Sequence, residues 1–236
     1  MHSTTMASRP VEITIHSALL HGDLILPSAA GGLVIFAHGS GSSRHSPRNR
    51  HVAEHLHEAG LGTLLFDLLS QDEEREDQYT GHLRFDIGLL ADRLARVTAW
   101  AAEDEQTAEL AVGYFGASTG GGAALVAAAQ QPDCVAAVVS RGGRPDLAGK
   151  WLRKVHAPTL LIVGGYDAPV IRMNEQALRE LAAPIKRLEI VPGATHLFEE
   201  PGTLDQVAVL AAGWFTRHLD HTHRGKEHPT WSDGGT

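Results

Sequence analysis

The chain has one cysteine, Cys134, among its 236 residues. An internal disulfide is therefore excluded, and the fold has to be held by its apolar core. It also lacks any excess of basic charge: 28 acidic residues stand against 20 Lys and Arg, a net charge of -8. That balance argues against a nucleic-acid protein, which would present a basic face, and gives no reason to expect attachment to an anionic membrane. No stretch approaches the roughly 18 uninterrupted apolar residues that a membrane helix needs. The opening MHSTTMASRP carries no apolar run of the kind found in signal peptides. Together these absences predict a cytoplasmic protein without nucleic-acid or membrane partners. Cys134 itself, in "QQPDCVAAVV", is expected to be a small packing residue.

What is present is the composition of one globular domain, with 43% hydrophobic and 20% charged residues. The domain is expected over 11–219, after an N-terminal extension at 1–10 and before a polar, aperiodic tail at 220–236 that reads as disordered. Two short segments, "VEITIHSA" and "LHGDLILP", read as a hairpin. Four continuous apolar runs, "GLVIFAHG", "GTLLFDL", "VAAVVSRGG" and "PTLLIVGGYD", read with "LAVGYFGAS" as strands buried on both faces. "IKRLEIVPG" is more mixed and reads as an edge strand. Helical patterns at 46–59, 82–101, 119–130, 170–182 and 203–219 lie between them. Strands alternating with helices predict an α/β fold: a doubly wound, mostly parallel sheet of about eight strands with helices on both faces. The acidic run "QDEEREDQ" at 71–78 is expected to be a solvated loop.

In such a sheet, functional groups collect at the carboxyl ends of the strands. Ser118 lies there, inside G-x-S-x-G from Gly116 to Gly120. In a nucleophile elbow small neighbours let the chain fold sharply around a serine that is projected at a helix N-terminus. The motif alone is weak in a chain with 25 glycines. A serine hydroxyl needs a base, and the base needs an acid to hold its tautomer. His196, after the last strand, and Asp167, ending "PTLLIVGGYD", supply both in the order Ser, Asp, His. Asp146 is the reserve acid. The expected oxyanion donors are the backbone N–H groups of Thr119 and of Ser40, in the glycine-flanked loop "HGSGSS", with His38 orienting that loop.

The four stretches "HGSGSSRHSPRN", "GASTGG", "GGYD" and "GATHLFEE", in that order, resemble the α/β-hydrolase fold and, within it, the dienelactone-hydrolase-like proteins over about 11–219. Dienelactone hydrolases proper carry a cysteine at the elbow, where this chain has Ser118. The resemblance therefore implies a serine esterase-like hydrolase rather than a named pathway enzyme. Domains similar to this one also occur joined to phosphoribosyltransferases, which hints at metabolic work.

Between Gly143 and Pro158 lies only "RPDLAGKWLRKVHA", too short for a cap domain, so the site should be open to a small ester, thioester or lactone. Arg44, Arg48, Arg141 and Arg144 cluster near it; each is a candidate to grip an anionic group on the substrate, or else to brace loops against acidic neighbours. No cofactor and no metal site are expected. His51 and His55 stand four apart on a helix, but no third ligand is evident. An acyltransferase using the same triad, and a non-catalytic binding protein on this scaffold, are the alternative readings. The final helix and the edge strand could support a homodimer.

Overall fold

The computed structural model describes residues 7–219. The tail expected at 220–236 lies outside them. Strands β1 (Arg9–Ile15) and β2 (Ala18–Ile25) form an antiparallel hairpin through His16, at φ 53°. There follow β3 (Leu33–Ala37), α1 (Pro47–Glu58), β4 (Gly62–Phe66), α2 (Gln71–Thr80), α3 (Ile87–Glu103), β5 (Val112–Ala117) and α4 (Thr119–Gln130). The chain then runs through β6 (Val135–Arg141), β7 (Thr159–Gly164), α5 (Ala168–Glu180), β8 (Lys186–Val191) and α6 (Thr203–Leu219). The sheet order is β1-β2-β4-β3-β5-β6-β7-β8. Strand β2 pairs antiparallel with β4, and every pair from β4 to β8 is parallel.

The strand sequences follow from what covers them. Every residue of β3, β4, β5 and β7 is buried, because helices lie on both faces. Helices α3, α4 and α5 cover one face, with the 3-10 segment Pro145–Lys154; α1 and α6 cover the other. Strand β1 has a single buried side, so Val11, Ile13 and Ile15 point inward while Glu12 and Thr14 do not. Strand β8 is the mostly exposed edge. Only the 3-10 segment separates β6 from β7, and among the described residues there is no large cap domain. This is the α/β-hydrolase architecture.

Three expectations are corrected. The acidic run is not a loop but helix α2, whose residues are nearly all solvated. Local capping rather than apolar periodicity builds it: Ser70 Oγ accepts from Glu73 N–H at 3.3 Å, and Glu73 Oε2 accepts from Ser70 N–H at 2.8 Å. The helix expected from 82 starts at Ile87, because Asp86 caps it through Leu89 N–H (3.0 Å) and the chain before it makes a 3-10 turn at Leu83–Phe85. Cys134 is exposed, in the turn after α4, and packs no core.

Candidate active site

Ser118 alone turns the chain from β5 into α4, at φ 51° and ψ -120°. For a residue with a Cβ this backbone costs on the order of 1–3 kcal/mol and persists only where the surroundings impose it. They do. Ser118 N–H donates to Arg141 O at 3.1 Å, and Ser118 O accepts from Gly121 N–H (2.9 Å) and Arg144 N–H (3.1 Å). The flanking glycines are demanded by packing: a Cβ on Gly116 would stand 2.6 Å from Gly120 O, and one on Gly120 would stand 2.5 Å from His38 O. The serine is under no such demand. It occupies the N-cap position of α4, yet its side chain makes no capping bond.

Asp167 heads α5 in the same way and also makes no capping bond. Its Oδ2 is instead 2.6 Å from His196 Nδ1. A carboxylate only accepts, so Nδ1 carries the hydrogen and Nε2 keeps the lone pair. The Asp167 side chain is 13% exposed and that of His196 40%, so the acid is sheltered while the imidazole meets solvent. The loop bearing His196 is tied down by Tyr166 N–H on Ala194 O (2.9 Å) and by Thr195 N–H on Glu200 Oε2 (3.0 Å). Hydrogen bonds from Thr195 hold the Glu200 carboxyl below the usual carboxylate range.

The His196 ring lies over Gly142: a Cβ there would meet Cε1 at 3.4 Å and Nδ1 at 3.5 Å. Gly142 directly follows Arg141, whose carbonyl holds Ser118 N–H. Ser118, His196 and Asp167 are thereby gathered at the carboxyl ends of the neighbouring strands β5, β6 and β7. Asp146, the reserve acid, is instead clasped by Arg144, at 2.8 and 2.7 Å.

On the other side of Ser118 lies the loop after β3. A Cβ on Gly39 would stand 3.2 Å from Ser118 Cβ, so the loop lies against the elbow. It turns through Ser40, closed by Ser42 N–H on Gly39 O at 3.1 Å. Buried His38 fixes it from beneath. Leu68 N–H donates to His38 Nε2 at 3.1 Å, so the ring hydrogen sits on Nδ1 and points at Gly39 O, 2.9 Å away. Burial pushes the His38 pKa down, which keeps this two-sided contact neutral. Thr119 begins α4, where backbone N–H groups have no intrahelical acceptor.

The four arginines separate. Arg44 binds Asp67 through its guanidinium and through its backbone N–H (2.8 Å), with Asp23 at 3.7 Å. Arg144 holds Asp146, and Arg48 meets Glu199 at 3.3 Å. Arg141 differs. It is 6% exposed, and its guanidinium lies 5.8 Å from the Phe198 ring centroid. Among the described residues no carboxylate lies within ion-pairing reach of it. Burial, and then the like charge of Arg48, bring its pKa down to about 10.

A cavity of about 360 Å3 adjoins the loop after β3, lined by His38, Ser42, Ser43, Asp67, Ser70 and Glu74 among others. Neither Ser118 nor His196 lines it. Asp67 and Glu200, the carboxylates that brace the two site loops, were not singled out from sequence. Glu200 sits inside the "GATHLFEE" stretch, and Asp67 directly follows β4, so strand-end position was the available signal for Asp67.

Among the described residues no helix is long and apolar enough to cross a membrane. Comparison with known proteins agrees with the geometry. The solved dienelactone hydrolase of Anabaena variabilis is 61% identical, with a TM-score of 0.89 over 91% of this chain and 99% of that one. Est1E of Butyrivibrio proteoclasticus, 17% identical with a TM-score of 0.74 over 89% of this chain and 98% of that one, shares the fold. A Mycobacterium tuberculosis protein named "Putative phosphoribosyl transferase" is 59% identical over 89% of this chain, which spans only 46% of that relative's length. Residues 21–219 match the model of the dienelactone hydrolase family. With its hydrolase architecture and that match over most of its length, the chain belongs to the dienelactone hydrolase family.

Proposed function

We propose that the chain is a serine hydrolase cleaving a small ester, thioester or lactone through an acyl-enzyme on Ser118. The observation that carries this reading is the 2.6 Å Asp167–His196 contact on the same strand-end rim as a serine held at φ 51° without a capping bond. Ser118 Oγ attacks the substrate carbonyl while His196 Nε2 takes its proton. The N–H groups of Thr119 and Ser40 receive the negative charge that develops on the carbonyl oxygen. Collapse of the tetrahedral species expels the leaving group, which takes the proton from His196. Water, activated by the same imidazole, then attacks the acyl carbonyl and frees Ser118. Asp167 keeps the ring oriented and stabilises its charged form. An alcohol nucleophile depends on this base far more than the low-pKa thiol of the cysteine-bearing enzymes would.

The substrate side follows from Arg141. Burying an unpaired cation costs several kcal/mol, and a bound anion offsets that cost. Arg44 and Arg144 already have internal carboxylates, so Arg141, with Arg48 beside it, is the group left to receive a carboxylate on the substrate. The phosphoribosyl transferase name of the mycobacterial relative belongs to a chain of about twice this length and is not carried over; the runner-up is an acyltransferase using the same triad, in which an alcohol or amine takes the place of water.

Intact mass after treatment with a fluorophosphonate probe tests the reading. One adduct on the parent, absent from Ser118→Ala and His196→Ala, is expected; a folded parent without adduct overturns it. On an ester panel, Arg141→Met should raise KM for carboxylate-bearing esters by about 10-fold or more, the worth of one charged hydrogen bond, while sparing neutral ones. An equal effect on both classes would exclude the anion role.

A further inference from the structure

Helices α1 and α6 pack together over one face of the sheet, and where they meet three donors of metal-binding type converge. His51 and His55 stand one turn apart on α1, their rings 4.7 Å between centroids. The third ligand that the sequence did not reveal is Asp205, in the first turn of α6. Its Oδ1 lies 2.7 Å from His51 Nε2, although 154 residues separate the two. One donor atom from each of the three lies within 4.8 Å of the others.

We propose that His51, His55 and Asp205 bind one first-row divalent transition-metal ion, of which zinc is the representative, and that the ion clasps α1 to α6. His55 is already oriented for this role. Its Nδ1 donates to His51 O at 3.0 Å, so Nε2 presents a lone pair. A ligating imidazole is commonly held by such a tie from its other nitrogen to a backbone carbonyl. With its ring proton on Nδ1, His51 offers the Nε2 lone pair to the metal in place of the hydrogen bond to Asp205, and Asp205 changes from hydrogen-bond acceptor to ligand. Donors around a tetrahedral ion stand roughly 3.4 Å apart, and half-exposed side chains reach that spacing by small rotations. Two imidazole nitrogens and one carboxylate oxygen suit zinc, cobalt, nickel or copper, whereas calcium and magnesium require oxygen donors. Water completes the shell on the solvent side.

The test is calorimetric titration of Zn2+ into the untagged full chain, stripped with EDTA and dialysed, together with His51→Ala, His55→Ala and Asp205→Asn. A matched series with Mg2+ runs beside it. Expected are one-to-one Zn2+ binding by the parent, about 10-fold or greater weakening in each of the three variants, and no binding of Mg2+. A rise in the parent's thermal midpoint with Zn2+, lost in the variants, should accompany it, since a ligand that binds only the folded state stabilises it. Circular dichroism confirms that each variant is folded, and His51→Gln and His55→Gln replace either alanine variant that is not. The histidines at 221, 223 and 228 remain in every variant and serve as an internal control. Zn2+ affinity that survives loss of His51 and His55 belongs to another site and overturns the proposal. So does an Asp205→Asn variant that binds as tightly as the parent, or a parent that binds nothing.

Discussion

Two serines head helices in this molecule, and they do opposite things. Ser70, at the start of α2, has ordinary extended backbone (φ -69°, ψ 166°) and gives its hydroxyl to the helix in a reciprocal pair with Glu73. Ser118, at the start of α4, has backbone that serine avoids and withholds its hydroxyl from the helix. Their helices differ to match. Every residue of α4 from Thr119 to Ala129 is buried, whereas α2 buries only Asp77. Helix α2 is held by its capped end and by ion pairs from Glu73 to Arg93 and from Asp77 to Arg84; α4 is held by the packing around it, and the side chain of the serine that heads it is left out of the helix. The difference teaches that a serine at a cap position need not serve the cap: at a strained φ its hydroxyl is left free of the helix, as the proposed nucleophile role requires.

The sharpest way to break this comparison is Ser118→Ala. Ester turnover should fall by about 1,000-fold or more, some 4 kcal/mol of transition-state stabilisation. The thermal midpoint should scarcely move, since no capping bond is lost, and calorimetry beside a turnover assay reads both. A large fall in the midpoint would mean that Ser118 is structural after all. Next in size is Gly120→Ala, which drives a methyl group into the His38 and Ala37 carbonyl oxygens. Backbone cannot yield as a side chain can, so about 3 kcal/mol should be lost, the upper end for overpacking, with the midpoint down by about 10 °C.

The bracing of the elbow can be probed by acid. Burial lowers the pKa of His38, and likewise of His57 and His218, below the ordinary imidazole value of about 6.5. Between the folded and the unfolded pKa the unfolded chain binds more protons, so stability is complete above about pH 6.5 and declines as pH falls below it. Urea melts from pH 7.5 to 5 should show this slope, and His38→Gln should flatten it. A slope unchanged in that variant would remove His38 from the account. The smallest effect is Ser70→Ala, a loss of about 1 kcal/mol from the α2 cap, with kcat unaltered.

The comparison also separates what was legible in the sequence from what was not. Helix α4 was legible to its ends because small apolar residues follow a strand and stop at Gln131, and α1 because Ser46 and Pro47 open it and Gly60 follows it. Helix α2 was missed because a helix held by local capping has no apolar stripe; its signature was Ser70 followed three residues later by Glu73. That Ser118, Asp167 and His196 come to one rim could be read from their places after strands, since topology brings strand ends together. The fates of the arginines could not. Whether Arg44 or Arg141 has a carboxylate beside it depends on Asp67, on Phe198 and on the depth of the strand ends, all set by tertiary packing. Asp205 was hidden for the same reason, lying on another helix far along the chain from His51.

Cys134, exposed in the turn that precedes β6, has a practical consequence. It stands at the amino end of a parallel strand whose opposite end carries Arg141 and touches the elbow. The chain thus has one thiol, and that thiol lies on the rim facing away from Ser118. A maleimide dye or a gold or resin surface joined there would display the whole molecule in one orientation, with the rim that carries Ser118 turned towards the bulk solution.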